Sequence, residues 1–248
     1  MSDAAERSPE NDLADSRNRT SLRRMVAEFA VISIGVLTAL TADASWDWWL
    51  ERGEEREALA QLLVDFRSNV AQLDSAGTTH ERSLDASYEL LAMAKGMGSR
   101  QGTDAPEMLV YRLSNVFTYD PDLGGLNSLI ASGRLGIIRN DSLRIALAAW
   151  PDLVEDLGEN EREEWRHSFD ILQPYLVEKG VRLETLHSIG GLRRLSATGE
   201  AVDYSPVLDD PRFAQLLGSR IVHLHDLLDE VETVRRAIQD IVRLIETS

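Results

Sequence analysis

The stretch VISIGVLTALTADASWDWWLERGEE, Val31–Glu55, decides how this chain is built. It begins as an apolar run, passes three tryptophans and then becomes abruptly charged. The run extends back to Met25, and within Met25–Ala44 only Glu28 and Asp43 are charged. About 20 helical residues span roughly 30 Å, the thickness of the hydrocarbon core of a bilayer. The stretch therefore predicts a transmembrane helix.

The predicted anchor occupies residues 23–49. Before it, residues 1–22 are polar and charged, so we expect a disordered tail that buries no apolar surface. After it, residues 50–248 are predicted to form a soluble α-helical domain. Tryptophans at the end of the run suit the aromatic belt of a membrane interface. The positions assigned to the anchor and its belt are Glu28, Ile34, Gly35, Leu37, Ala39, Leu40, Trp46, Trp48 and Trp49.

Flanking arginines predict the orientation of the anchor. More of them precede the run than follow it: Arg17, Arg19, Arg23 and Arg24 lie before it, and Arg52 and Arg56 after it. Cationic flanks stay in the cytoplasm, so we expect a cytoplasmic N-terminus and an external C-terminal domain.

Two alternatives to an anchor stay open. Ala42-Asp43-Ala44 has the small-x-small form of a signal cleavage site, so the run could be an export signal that is removed. The strictly uncharged part, residues 29–42, also has the length of a buried helix in a soluble protein. The long polar tail argues against cleavage, and the absence of a polar stripe argues against a soluble helix.

Composition narrows the functional classes. The chain has 248 residues, a net charge of −16 and an isoelectric point near 4.7. Nucleic acid is an unsuitable partner because neutralising phosphates requires clustered cations. The chain has no cysteine, which excludes disulfides, thiolate nucleophiles and cysteine-ligated zinc.

Two motifs carry a resemblance. The first is EFAVISIGVLTAL, residues 28–40, followed by Trp46. The second is LNSLIASGRLGIIRNDSLR, residues 126–144. In this order they resemble the motifs of a family of bacterial single-span membrane proteins with no assigned activity. The second motif rests on Leu129, Ser132, Gly133, Leu135, Ile138, Asn140, Leu143 and Arg144.

The resemblance implies a single transmembrane span followed by an α-helical domain. It implies no reaction, ligand or cofactor. The chain departs from the family pattern at Trp150-Pro151, where an aromatic pair is common, and between Leu40 and Trp46.

Apolar residues at three- and four-residue steps predict helices for the rest of the chain. We expect one long helix, or two nearly collinear ones, ending near Ala94, followed by helices at about 107–117, 126–132, 142–150, 152–177 and 211–246. Asn140 or Asp141 should cap the helix at 142–150, and Pro174 should kink or break the helix at 152–177. The predicted fold class is all-α, with a transmembrane helix continuing into an antiparallel bundle that has a long C-terminal helix.

Three patterns invite a chemical interpretation. His223 and His225 in HLHD point to different sides of a helix, so they do not share a metal ion. The DPDLGG turn has only half the ligands of a calcium loop. The row Glu159, Glu161, Glu163 and Glu164 alternates with arginines and suggests a solvated helical face. No catalytic residue, cofactor site or metal site is predicted.

These features predict a bacterial inner-membrane protein with a periplasmic helical domain that binds or scaffolds envelope components. Its expected partners are the lipid bilayer and either an envelope protein or a second copy, because Gly35 and Ala39 would let two spans approach closely. A sensory domain that signals through a partner is the first alternative. An anchored enzyme that uses carboxylates is the second.

Overall fold

A computed structural model describes residues 9–97, 106–181 and 203–248, with only some of the side chains within residues 9–47. Every regular element in these ranges is a helix, which confirms the all-α class. The elements are α1 (Pro9–Ala94), α2 (Pro106–Ser114), α3 (Gly124–Ala131), a 3₁₀ helix (Arg134–Ile137), α4 (Asp141–Arg166), a π-helix (His167–Leu172), α5 (Gln173–Glu178), α6 (Ser205–Leu208) and α7 (Pro211–Glu246).

Helix α1 differs from the prediction at its start and matches it at its end. It begins at Pro9, so residues 9–22 are helical rather than disordered, and residues 1–8 lie outside the described ranges. The helix stops at Ala94, where Gly96 has a φ of 65° and the Met97 N–H bonds the Ala92 carbonyl. The chain divides into two compact units between Glu57 and Ala58, within α1.

Helix α4 corrects the predicted helix boundaries. The sequence predicts a break near Pro151, but α4 runs through this residue without interruption. Burial of Trp150 in the core fixes the chain there, so packing outweighs the hydrogen bond that the proline lacks. The α-helical geometry of α4 ends at Arg166, and the π-helix His167–Leu172 follows it directly. Pro174 follows in the first turn of α5, close to the predicted kink.

Helix α7 has the bounds that the sequence predicts. Asp210 caps its first turn by accepting a hydrogen bond from the Arg212 N–H at 2.8 Å, and Pro211 occupies the first helical position. Residues 182–202, which lie between the predicted helices at 152–177 and 211–246, are outside the described ranges.

Three helices form the core of the second unit. Their buried side chains recur at alternating steps of three and four residues, as in coiled coils. These positions are Leu59, Leu62, Phe66, Asn69, Leu73, Ala76, His80, Ser83, Ser87 and Leu90 on α1; Leu143, Leu147, Trp150, Leu157, Glu161 and Glu164 on α4; and Phe213, Leu217, Arg220, Leu224, Leu227, Val231, Val234, Ile238, Ile241 and Ile245 on α7.

Contacts between the helices give their directions. Arg67 bonds Glu246 at 2.7 Å, whereas Ser83 accepts a bond from Arg220 at 3.1 Å, so α7 runs antiparallel to α1. Asn140 bonds Ser248, and Glu164 contacts Arg220, so α7 also runs antiparallel to α4. The C-terminal helix therefore packs antiparallel to the first long helix, as expected for the predicted antiparallel bundle.

Candidate functional site

A buried ion pair lies where the three helices meet. The Arg220 guanidinium on α7 is 2.6 Å from the Glu164 carboxylate on α4, and the two side chains are 0% and 1% exposed. Arg220 also donates a hydrogen bond to the Ser83 hydroxyl on α1. One charged pair thus connects all three helices inside the seam.

Two histidines flank this pair. His80 on α1 and His167 at the start of the π-helix are both buried, and the charge of Arg220 acts on each. The His167 ring also lies 5.8 Å, centroid to centroid, from the partly buried ring of His223 on α7. We call Ser83, His80, Glu164, His167, Ser168 and Arg220 the polar layer.

The polar layer contains more hydrogen-bonding atoms than it pairs internally. Within the part of the chain that the structure describes, no hydrogen-bond partner is present for the Nε and Nη1 of Arg220, the Nε2 of His80, both ring nitrogens of His167 or the Ser168 hydroxyl. The contact between Glu164 and Arg220 is short, but it lacks the alignment of a hydrogen bond. Buried polar atoms are normally paired, so this layer departs from ordinary core packing.

Burial controls protonation in the layer. It raises the pKa of Glu164 to about 7, although the nearby Arg220 charge acts in the opposite direction. It lowers the pKa of His80 to about 4, assisted by Arg220 and opposed by a hydrogen bond to the Phe117 backbone. Burial and then the charges of Arg220 and His223 lower the pKa of His167 to about 4. The two imidazoles are therefore neutral near pH 7, and each has a nitrogen that can accept a hydrogen bond.

The backbone changes geometry at the polar layer. The π-helix begins at His167, one turn after Glu164, and includes Ser168. A π-helix inserts extra width into a helical turn and commonly lies at functional sites. The geometry can therefore bind a proton or a polar group, and it lies next to a backbone segment that is not locked in α-helical hydrogen bonding.

A second polar contact joins the DPDLGG turn to the bundle. The buried Asn69 amide accepts a hydrogen bond from the Asp122 N–H at 2.8 Å and donates one to the Asp122 carbonyl at 3.0 Å. Glu161 accepts a bond from the Tyr119 N–H at 2.8 Å. Burial raises the pKa of Glu161 to about 7, against the opposing effects of this bond and of Arg162. These contacts are structural because they satisfy the backbone of a turn.

The same contacts bear on the calcium interpretation. Asp122 directs its carboxylate to the Gly124 N–H at 2.9 Å, and Asp120 is exposed. Among the described residues, no group of three or more His, Asp or Glu side chains is arranged to bind a metal ion. In HLHD, His225 contacts the Tyr88 hydroxyl at 2.9 Å on the surface, whereas His223 faces His167. The two histidines therefore point to different neighbours, as predicted.

The interpretation of the carboxylate row was wrong for half of its members. Glu159 and Glu163 are exposed and pair with Arg162 and Arg166. Glu161 and Glu164 are buried instead. The reason is their register, because they follow the buried Leu157 by four and seven residues on the core face of α4.

The second motif forms the turn that leads into α4. Gly133 has a φ of 68°, and the helix α3 ends just before it. Asn140 caps α4 by accepting a bond from the Leu143 N–H at 3.1 Å, which confirms the predicted cap.

The other motif residues pack or bond locally. Arg144 donates to the Ile138 carbonyl and pairs with Asp141. Ile138 and Leu143 are buried, Leu129 and Leu135 pack against the core, and Ser132 bonds its own helix. The motif residues thus have structural roles away from the polar layer.

The first unit exposes the apolar residues of the predicted anchor. Ile34, Leu37, Trp46, Trp48 and Trp49 are all more than half exposed, and Glu28 and Gly35 are also exposed. The side chains of Ala39 and Leu40 lie outside the described ones. In the part of the chain that the structure describes, no helix has a stretch both long and apolar enough to cross a membrane.

Comparisons with protein-family models, curated proteins and solved structures gave no match to this chain. The candidate site therefore rests on geometry and chemistry alone.

Proposed function

We propose that the protein is a membrane-anchored helical interaction module of the bacterial envelope. The observation that carries the proposal is the exposed apolar surface of α1 between Met25 and Leu50. Phe29, Ile32 and Ile34 are exposed there. At about 100° per residue, Ile32 and Ile34 point to nearly opposite sides of the helix. An apolar surface on all sides of one helix favours a lipid environment over a single packed face.

The tryptophans support an interfacial position for the end of this segment. The Trp46 and Trp49 rings lie 5.9 Å apart, and the Arg52 guanidinium lies 5.1 Å from the centre of the Trp48 ring. Tryptophan and arginine are both well suited to the boundary between acyl chains and head groups. The proposal rests on the whole sequence of residues 23–49, in which Val31 and Leu40 are among the positions whose side chains are not described.

The anchor would leave the bundle on the periplasmic side of the inner membrane, because most flanking arginines precede it. We propose an envelope protein or a second copy of the chain as the partner of the bundle. Trp165 and Phe169 stack with their ring centres 4.7 Å apart, and both remain partly exposed. Exposed aromatic pairs of this kind are enriched at protein interfaces, which favours an interaction role.

A sensory role is the second candidate, and the polar layer favours it. A scaffold would be more stable with an apolar seam, because burying an ion pair costs desolvation free energy. A buried charged layer beside a π-helix is instead suited to responding to a signal.

Membrane extraction tests the leading proposal. Membranes from bacterial cells that express the full chain are washed with alkaline carbonate, and the mass of the retained chain is measured. We expect a retained chain of the full 27.7 kDa. Leu37→Arg should reduce retention, because arginine at the centre of a span costs about 2.5–3.5 kcal/mol on insertion scales. The matched control, Val64→Arg, places the same charge at an exposed α1 position in the second unit and should be retained.

Two results would contradict the proposal. Release of the full-length chain by carbonate would exclude the anchor. A retained or released chain that begins after Ala44 would show that the apolar run is a cleaved export signal.

A further inference from the structure

Arg220 has more potential partners in the core than it uses. Its Nη2 contacts Glu164 and Ser83, while its Nε and Nη1 have no partner among the described residues. His80 and His167 lie close enough for the Arg220 charge to act on them, and both have unpaired ring nitrogens. A neutral imidazole accepts a hydrogen bond through one nitrogen. The layer therefore holds two kinds of acceptor for one guanidinium, a carboxylate and neutral imidazoles.

The charges of the layer depend on one carboxyl group. With Glu164 ionised, its charge balances that of Arg220. A proton on Glu164 removes this balance, because a guanidinium does not lose its own proton in a protein. Ser83 from α1 bonds Arg220, and the charge of Arg220 acts on His80 from α1 and His167 from the π-helix. The buried Ser168 follows His167, and His223 from α7 lies against the His167 ring rather than against the pair. Among the described residues near the pair, none is a second carboxylate that pairs with Arg220.

We propose that the polar layer is a proton-binding site, in which Glu164 takes a proton from solvent and Arg220 exchanges its carboxylate partner for the neutral histidines. The step is a protonation of a carboxylate to a carboxylic acid, with no other bond made or broken. It gives the bundle a sensory function beyond membrane anchoring, and all of its residues lie in the second unit.

The π-helix couples protonation to the backbone. His167 begins this segment, and Ser168 is the next residue, so a guanidinium that turns towards His167 changes the contacts of the first π turn. The π turn departs from the regular α-helical hydrogen-bond pattern, so we expect this segment to open more easily than the α-helical turns beside it. Protonation of Glu164 should therefore make residues 167–172 open faster.

Amide hydrogen exchange of the full chain in detergent micelles tests the proposal. The exchange rate of residues 167–172 is divided by that of residues 143–157, in the same continuous helical segment. This ratio cancels the intrinsic effect of pH on exchange. We expect the ratio to be about fivefold higher at pH 6 than at pH 8, the lower end of typical coupling between two sites. An equal ratio at the two pH values would overturn the proposal.

Substitutions test whether Glu164 causes the pH dependence of the exchange ratio. Glu164→Gln imitates the protonated carboxyl group and should give the pH 6 ratio at both pH values. Glu163→Gln, at the neighbouring exposed carboxylate, should behave like the unmodified chain, and so should His223→Gln. A pH response that persists in Glu164→Gln, or that disappears in either control, would overturn the assignment. If Glu164→Gln loses its helical circular dichroism, the comparison of pH 6 with pH 8 in the unmodified chain decides alone.

Discussion

The guanidinium of Arg220 and the carboxylate of Glu164 lie 2.6 Å apart in the core of a helical bundle, where neither side chain is more than 1% exposed. The two residues come from α7 and α4, which run antiparallel. Ser83 on α1 completes the contact. The pair therefore links three helices through charge in a seam whose other layers are mostly apolar.

Removing one partner of this pair should be far more harmful than removing both. Arg220→Met leaves Glu164 buried without its cation, and we expect a loss of about 3–5 kcal/mol in the free energy of unfolding. The double variant Arg220→Met with Glu164→Leu should recover most of that loss, since no uncompensated charge remains. Urea denaturation measures the free energy of unfolding of the unmodified chain, of Arg220→Met and of the double variant.

The exposed pair of Arg243 and Asp240, 2.7 Å apart, provides the control. Arg243→Met should cost no more than about 1 kcal/mol, as is usual for a surface ion pair. A double variant as unstable as Arg220→Met alone would show that the two buried charges do not act as a pair.

His167 should make the bundle less stable in acid. The pKa of His167 is about 4 in the folded protein, against 6.5 for an unperturbed histidine, so the unfolded chain binds more protons between these values. Its contribution to stability is lost as pH falls from 6.5 to 4, by up to about 1.4 kcal/mol per pH unit. Glu161 and Glu164, whose pKa values are raised to about 7, act oppositely and lower stability as pH rises from 4.5 to 7.

Because these effects oppose each other, the measurement compares two chains. The free energy of unfolding of the unmodified chain, minus that of His167→Gln, should become smaller as the pH is lowered from 6.5 to 5. The same difference for His225→Gln, on the surface of α7, serves as the reference. A difference for His167→Gln that stays constant with pH would mean that this histidine titrates alike in the folded and unfolded chains.

Asn69 should hold the DPDLGG turn on the bundle. Asn69→Ala removes the partner of both the N–H and the carbonyl of Asp122. An unpaired backbone group costs about 1–3 kcal/mol when fully buried, and these two are partly buried, so the variant should be destabilised by less than this per group and the Asp122 amide should exchange faster. Gln239→Ala, at an exposed position of α7, should change neither quantity. Unaltered exchange at Asp122 in Asn69→Ala would show that other contacts hold the turn.

Gly125 should tolerate no side chain. A Cβ there would lie 2.6 Å from an Asp65 carboxylate oxygen, and Gln61 holds the other oxygen of that carboxylate at 2.8 Å. Gly125→Ala should therefore cost about 1–3 kcal/mol, the usual cost of overpacking. Gly136→Ala meets no atom within 4 Å and is the matched control. Equal unfolding midpoints for the two variants would mean that Asp65 moves away at little cost.

The local signals in the sequence predicted much of the fold. Gly96 and Gly133 end helices where the sequence predicts an end, and Asn140 is the cap it predicts for α4. These features depend on backbone freedom and on short-range hydrogen bonds, which a few neighbouring residues determine. Pro151 was misleading because tertiary packing around Trp150 outweighs a local preference.

The polar layer was missed because burial depends on register. Arg220 lies three residues after Leu217 and four before Leu224, so the heptad spacing already places it in the seam. The same spacing from Leu157 places Glu161 and Glu164 there. Following this register through the charged residues would have found the pair. The sequence of the π-helix contains no comparable local signal, because this geometry depends on how the three helices pack together.

Cysteine accessibility in intact cells tests most directly the central claim, that an inner-membrane anchor places this bundle in the periplasm. The chain has no cysteine, so single substitutions report cleanly. Ser16→Cys precedes the anchor, Glu155→Cys lies on the exposed surface of α4, and Leu73→Cys is a buried control. With the outer membrane made permeable, a maleimide that does not cross the inner membrane should label Glu155→Cys, and should label Ser16→Cys only after the inner membrane is broken. Labelling of Ser16→Cys first, or protection of both until the cells are lysed, would contradict the account.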